Sequence, residues 1–404
     1  MIKILYISIG NEILMGKTVN TNETFIGEHL FSAGFHLDKS VTIGDDKKAI
    51  TDTLSYAWEN YDVTIITGGL GPTHDDITKA AVASFFNKKM HFHEDIWNDI
   101  KAWYDKLDKT PPDIVKTQAE IPEDFISIKN ANGTAPGLHY IDNDKHIFVL
   151  PGVPKEMKPM ITEYVVPALK EKFASESLNQ CTIRTFGLFE SELFSTLKDI
   201  EETNTTRIAF LPKAGMVDIR LFGVSKDEIE ALRKQIENKI DPKYIYGYDD
   251  ETLVQVFHKE MMASGKTVSA AESCTGGLIQ SMITDNAGSS DYFLGGVVSY
   301  SNQAKMKLLG VEQTTLERWG AVSEQTVKEM VVGTIKLFSS DYAIAVSGIA
   351  GPGGGTEEKP VGLVYIGTFG KGGLKITENH FHSSRTDVKE QTANRAIYQI
   401  LTNE

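Results

Sequence analysis

The stretch at 271–277, AESCTGG, sets three nucleophile-type side chains together: Ser273, Cys274 and Thr275. It lies between the apolar run KTVSA and the helical pattern LIQSMITDN. A hydroxyl or thiol on a strand-to-helix turn sits beside backbone N–H groups that lack partners inside the helix. Such groups can stabilise the oxyanion formed when a nucleophile adds to a carbonyl. Cys274 ionises more readily than either hydroxyl, but the histidines of this segment, His258, His380 and His382, are distant in sequence. A single Cys between two hydroxyl residues reads as a small buried side chain. Ser273, first after the strand, is the expected nucleophile, with Thr275 as its hydrogen-bonding neighbour. Glu272 is expected to cap locally, and a role in orienting a base stays open.

Two glycine-rich stretches suit phosphate. In SGIAGPGGGTEEKPVG (347–362), glycines leave backbone N–H groups free to face an anion, and Ser347 stands at the strand end. Arg385, in SSRTD, is a candidate second phosphate ligand, against the alternative of a surface cation. In TGGLGPTHDDIT (67–78), Gly68, Gly69 and Gly71 let the backbone approach a ligand, and Asp75 and Asp76 are expected to open a helix. Taken alone, this stretch reads as a tight turn with an Asp cap, since glycine turns are common in α/β sheets. It is neither a Walker motif nor a dinucleotide fingerprint. Further Gly/Pro loops, GTAPG (133–137) and LPGVPKEM (150–157), and Glu12 in GNEILMGKTVNTN (10–22), fall at expected strand ends. Several such loops on one rim make a nucleotide-sized pocket. Glu12, Asp75 and Asp76 offer oxygen donors to a hard divalent cation.

The elements that must position these residues fall into three segments. Up to about residue 172, near-continuous apolar runs such as KILYISIG and DVTIITGG alternate with helical patterns such as TNETFIGEHLFSAG and DDKKAITDTLSYAWEN. That rhythm predicts a parallel sheet covered by helices on both faces, with ligands beyond the carboxyl ends of the strands. From 175 to 248 a small α+β unit is expected: strand CTIRTFGL, helix SELFSTLKDIEE, the strand pair RIAFLP and MVDIRLFGV, and helix DEIEALRKQIENKI. DPKYIYGYDD reads as the passage into the last segment, 251–404, which is α/β again.

The chain of 404 residues carries a formal net charge of −14, which argues against broad, sequence-independent nucleic-acid binding. No apolar run approaches the length of a membrane helix, and MIKILYISIGNE reads as a first strand rather than a signal peptide. The two cysteines, Cys181 and Cys274, form no metal-type spacing, so a reducing, cytoplasmic setting is expected.

The motifs TGGLGPTHDDIT, NTN, GTAPG, LPGVPKEM, AESCTGG and SYSNQAK together resemble the CinA family over essentially the whole chain. That resemblance implies three parts. The first is a three-layer α/β domain of molybdopterin-binding (MogA/MoaB-like) type over 1–172. The second is a KH-like linking unit over 175–248. The third is an α/β deamidase domain over 251–404. It implies that the first domain is a pyrophosphatase for ADP-ribose-like nucleotides, with a divalent metal (Mg2+, Mn2+ or Co2+) held by Glu12, Asp75 and Asp76. Gly68, Gly69, Gly71, Thr73, Asn22 and Gly152 would bind the substrate. It implies that the last domain, without a cofactor, deamidates nicotinamide mononucleotide (NMN). There Gly276, Gly277, Ser347, Gly348, Gly351, Gly353 and Arg385 would hold the substrate. SYSNQAK supplies Lys305, which could act as base once desolvated, and Tyr300, which could relay the proton or orient the nucleophile. A homodimer without membrane contact is expected. The family usually has Gly-Asp-Glu where this chain has Gly10-Asn11-Glu12, so a metal contact at that position would lose a charge. LPKAGM has only one glycine where a KH loop needs two, against RNA binding by the middle unit. Two other readings stand beside the two-site hydrolase: an enzyme with one active domain, and a non-enzymatic partner in competence and recombination.

Overall fold

A computed structural model describes residues 2–173, 178–200, 206–213 and 215–402. The expected start of the middle unit at 175, the tail of the SELFSTLKDIEE helix at 201–202, and Ala214 therefore lie outside the described residues. The chain divides into two compact units, Met1–Asn179 and Gln180–Glu404.

In the first unit, the strands Ile4–Ile9, Lys39–Ile43, Val63–Thr67 and Lys145–Leu150 pair in parallel. They form a six-stranded sheet ordered Lys39–Ile43, Ile4–Ile9, Val63–Thr67, Lys145–Leu150, Gly137–Asp142, Ile126–Ile128. The sheet is not wholly parallel as expected: Gly137–Asp142 runs antiparallel to both of its neighbours, Lys145–Leu150 and Ile126–Ile128. The continuous run ILYISI is buried along its length because both faces are covered. On one face Leu5, Ile7 and Ile9 pack with Ile50, Leu54 and Val82 of the helices Lys47–Asn60 and Thr78–Phe85. On the other, Ile4 and Tyr6 pack with Ile26 and Leu30 of Thr21–Ser32 and with the helical run 154–172. Asp46 caps Lys47–Asn60 by accepting from the Ala49 N–H at 2.8 Å.

The second unit holds the middle and C-terminal segments together. Four strands, in the order Thr206–Lys213, Met216–Gly223, Asn179–Phe186, Ile245–Tyr248, make the middle sheet. IYGY, expected as a passage, is thus its edge strand. The reason is local: Tyr246 packs onto the C-terminal core while its neighbours pair with Asn179–Phe186. Phe186 stacks on Tyr398 with ring centroids 4.3 Å apart, fixing the middle sheet to the last helix.

The C-terminal sheet has the order Phe293–Val298, Val268–Glu272, Tyr342–Gly348, Leu363–Gly370, Gly373–His380; its first three strands are parallel and the last two antiparallel. Glu324–Phe338 covers one face. Leu253–Ser264, Leu278–Thr284 and Arg385–Thr402 cover the other. No described helix is long and apolar enough to cross a membrane.

Candidate active sites

The central strand Val268–Glu272 is buried throughout and delivers Ser273 to the sheet's carboxyl rim. There the Ser273 N–H donates to the Val346 carbonyl at 3.1 Å, anchoring the turn to the neighbouring strand. Glu272 is fully buried, and its carboxylate accepts from the N–H groups of Gly277, Ile279 and Gln280. It satisfies the first turn of Leu278–Thr284 that no N-cap side chain serves. The local cap expected of Glu272 is therefore present. Its carboxylate has no bond to Lys305 among the described residues, and the orienting role is not seen.

Lys305 enters from the helix Asn302–Leu309, whose first turn Ser301 caps through the Ala304 N–H. Its side chain is 1% exposed. The Nζ donates to Ser273 Oγ at 2.9 Å and to the Ser299 carbonyl at 2.8 Å. Burial pushes the Lys305 amine down to about 8, so a neutral form is within reach near neutral pH. Burial pushes the Cys274 thiol up to about 12, which keeps it protonated and unreactive. Ser273, and not Cys274, has the base. Thr275, expected to hydrogen-bond Ser273, does not: it is fully buried and its hydroxyl has no partner among the described residues. The N–H groups of Cys274 and Thr275 have no oxygen partner among the described residues but face the Cys274 sulfur, and they would have to turn from it to act as oxyanion donors.

A cavity of about 250 Å³ opens on this pair, lined also by Ser347, Gly348, Gly351, Gly353, Ala321, Val322 and Arg385. Within it, the N–H groups of Ala350, Gly351, Gly353 and Gly354 carry no hydrogen bond among the described residues. Gly348 must be glycine, because a Cβ there would lie 2.6 Å from Val364 Cγ2. Arg385 is not a free surface cation: it donates to the Gly351 carbonyl at 2.6 Å and to the Tyr300 hydroxyl at 3.1 Å.

Three expectations need correcting here. Tyr300 is 62% exposed, and its hydroxyl meets Arg385 rather than Ser273; a proton relay is not in place because the side chain leaves the strand end toward the cavity mouth. Gly276 and Gly277 do not offer free N–H groups, since they already donate to the Ser273 carbonyl and to Glu272. The Ser347 hydroxyl donates to the Ala321 carbonyl at 2.7 Å, so it braces the cavity wall.

The second site is a cavity of about 600 Å³ at the carboxyl rim of the first unit's sheet. Its lining includes Glu12, Asn22, Gly68, Gly69, Gly71, Thr73, Asp75, Asp76 and Gly152. Gly68 and Gly69 have φ of +106° and +69°, and Cβ atoms on them would strike the Ile9 carbonyl and Thr78 Oγ1. The N–H groups of Gly69, Leu70 and Gly71 have no partner among the described residues and form an anion nest. Asp75 and Asp76 do not open the helix, which starts at Thr78. Asp76 instead closes the turn, accepting from Thr73 N at 3.0 Å and Thr73 Oγ1 at 2.6 Å. Nor does the helix start face the ligand space, for the Thr78 N–H donates to the Gly69 carbonyl. Glu12 lies in the short helix Asn11–Leu14 rather than on the strand. Asn22 Nδ2 donates to the Gly152 carbonyl at 2.7 Å, tying NTN to LPGVPKEM.

Among the described residues no three His, Cys, Asp or Glu side chains stand close enough to hold an ion alone. The donor set still suits a hard divalent cation of the magnesium type, which takes one or two carboxylates and completes its shell with water and phosphate oxygens. Glu12 and Asp76 supply the carboxylates, and the buried, unpartnered oxygens Asn22 Oδ1 and Gln118 Oε1 add neutral donors nearby. Asn11 is turned away: a Cβ on Gly44 would lie 2.6 Å from its Oδ1, and it does not line the cavity.

Comparison with known proteins agrees with both halves. Residues 5–171 match the probable molybdopterin binding domain, 180–247 the damage-inducible protein CinA KH domain, and 250–403 the CinA C-terminal domain. A competence-damage inducible protein of Caldicellulosiruptor saccharolyticus is 40% identical over 98% of this chain and 97% of its own. The chain belongs to the CinA family. Another relative at 40% identity, from Clostridioides difficile, covers 95% of this chain and 94% of its own. Among solved structures, the competence/damage inducible protein CihA from Agrobacterium tumefaciens is 41% identical over 38% of this chain and 94% of its own, with a TM-score of 0.37. The CinA protein of Thermoplasma acidophilum is 35% identical over 42% of this chain and 96% of its own, also with a TM-score of 0.37.

Sequence reasoning missed several lining residues of this CinA chain. Asp45, Gln118, Thr134 and Glu156 all face the larger cavity. Asp45 had a signal, since GDD directly follows the strand Lys39–Ile43 on the same rim. Gln118 had none, because it sits in a short 3-10 turn with no motif around it.

Proposed function

We propose that the chain is a pyridine-nucleotide hydrolase with two sites. The smaller cavity deamidates nicotinamide mononucleotide to nicotinate mononucleotide and ammonia. The observation that carries this reading is the Ser273 Oγ–Lys305 Nζ contact of 2.9 Å in a buried pocket. Neutral Lys305 takes the Ser273 proton as Oγ adds to the carboxamide carbon, and the N–H groups of Cys274 and Thr275 receive the oxyanion. Lys305 then gives that proton to the departing nitrogen, and the C–N bond breaks to release ammonia. A water, deprotonated by Lys305, attacks the acyl-serine; the C–Oγ bond breaks and Ser273 regains its proton. The 349–362 loop and Arg385 hold the phosphate.

The larger cavity, on this proposal, hydrolyses the pyrophosphate of ADP-ribose-like nucleotides. Glu12 and Asp76 would hold a divalent cation, which neutralises charge on the phosphates. The N–H groups of Gly69, Leu70 and Gly71 bind the phosphate oxygens, and Asn22, fixed on Gly152, positions the nucleotide. The test is direct: ammonia release from nicotinamide mononucleotide, and AMP release from ADP-ribose with and without divalent metal. Turnover in both assays is expected. A chain that turns over neither is a non-enzymatic partner protein.

A further inference from the structure

The glycine-rich loop GPGGGTEEKPVG carries one lysine, Lys359. The turn TEEK is closed twice, by the Thr356 N–H on the Lys359 carbonyl at 2.8 Å and by the Lys359 N–H on Thr356 Oγ1 at 3.0 Å. The side chain leaves the turn for the 319–322 segment beside the cavity, where Nζ donates to the Trp319 carbonyl at 2.6 Å and the Val322 carbonyl at 2.8 Å. Ala321 and Val322 form the wall facing the loop, and Ser347 braces the same wall from the strand end. The loop's base is closed separately, through Gly362 N–H to the Ile349 carbonyl and Ile349 N–H to the Leu363 carbonyl. Gly355 lets the chain double back, since a Cβ there would lie 2.7 Å from Val361 N. Between the base and the tip, Ala350, Gly351, Gly353 and Gly354 keep their N–H groups unpaired among the described residues.

We propose that Lys359 is a positioning residue: a strap from the loop to the opposite wall that holds the loop's free N–H groups in place for a monophosphate dianion, without touching the phosphate itself. The assignment rests on the deamidase reading of this cavity. An open loop would have to be ordered by the substrate at each turnover, and a pre-fixed one spares that entropy.

The test uses the full chain as Lys359→Met, with Lys359→Arg as the conservative control. In the nucleotide-free protein, hydrogen exchange at the paired loop amides of Thr356, Lys359 and Gly362 should quicken about tenfold or more in Lys359→Met. Exchange in the strand Val268–Glu272 should be unchanged. The KM for nicotinamide mononucleotide should rise about tenfold with kcat within about twofold, a loss of ground-state binding rather than of chemistry. Lys359→Arg, which keeps a donor cation, should recover most of both effects. Thr356→Val loosens the turn without altering the amine and should move both readouts the same way by less; it serves if Lys359→Met does not fold. Unchanged exchange at Thr356, Lys359 and Gly362 overturns the strap even if KM rises, because a direct phosphate ligand would act only once substrate is bound. Faster exchange with an unchanged KM overturns the positioning role. The exchange measurement needs no substrate, so a wild-type chain that releases no ammonia fails the deamidase reading and not the strap.

Discussion

The two cavities solve their electrostatic problems in opposite ways. The smaller one is built around a single amine taken out of water, with a hydroxyl already in contact with it and the cavity wall already braced. The larger one is more than twice the volume and lined by carboxylates that cannot by themselves meet an anionic ligand. On the proposed reading it would depend on its unpaired N–H groups and on charge brought in from outside. One site stores its chemistry in burial; the other assembles it on binding. That contrast separates what should be sensitive to a single side chain and to pH from what should be sensitive to added metal.

The sharpest way to break the contrast is Ser273→Ala. Ammonia release should fall by about 1,000-fold or more, as for loss of a nucleophile, while AMP release from ADP-ribose stays at the wild-type rate. Substantial deamidation in that variant would remove the acyl-serine scheme. Next comes pH. Lys305 acts as a base only when neutral, and burial has pushed it down to about 8. The value of kcat/KM for deamidation should therefore climb about tenfold per pH unit below that value and level off above it. Lys305→Arg, which stays protonated, should abolish the limb along with the activity. A flat profile measured over the same range would show that another group takes the proton.

Asp76→Asn should lower metal-dependent pyrophosphate cleavage by about 100-fold and leave ammonia release untouched. Equal loss of both activities would mean that the turn Asp76 closes has a wider structural role. The smallest effect is expected at the position where this chain departs from its family. Asn11 points toward Gly44 and away from the cavity. Asn11→Asp should change the metal concentration for half-maximal pyrophosphate cleavage by less than about threefold, since long-range charge effects are weakened by solvent. A much larger tightening would place residue 11 in the metal shell.

The legibility of the two sites differs for the same physical reason. AESCTGG lies on a continuous buried strand, a glycine turn and a helix, so sequence order already dictates where Ser273 must stand. Lys305 could be named by type, but its 2.9 Å contact depends on how Asn302–Leu309 packs, which no local pattern contains. Tyr300 was misplaced because its position fixes where the strand ends and not where an exposed ring then points. In the first unit, the alternating rhythm announced three of the four parallel strands, and Lys145–Leu150 was not among them. The antiparallel pair at the sheet edge brought in Thr134 from the loop that joins its strands and went unread. Asp75 and Asp76 looked like helix-opening residues because DDIT has that form; the Thr73 bonds to Asp76 won instead. Gln118 reaches its cavity by tertiary packing alone.

Lys305 also has a bearing on how this protein would respond to breeding for heat resistance. A cation-forming side chain sealed among its neighbours lowers the folded state's advantage at neutral pH, and an apolar replacement of similar length would relieve that cost. A laboratory lineage screened only for survival at high temperature should therefore keep discovering Leu or Met at this position, and each such winner would be catalytically dead in its C-terminal half.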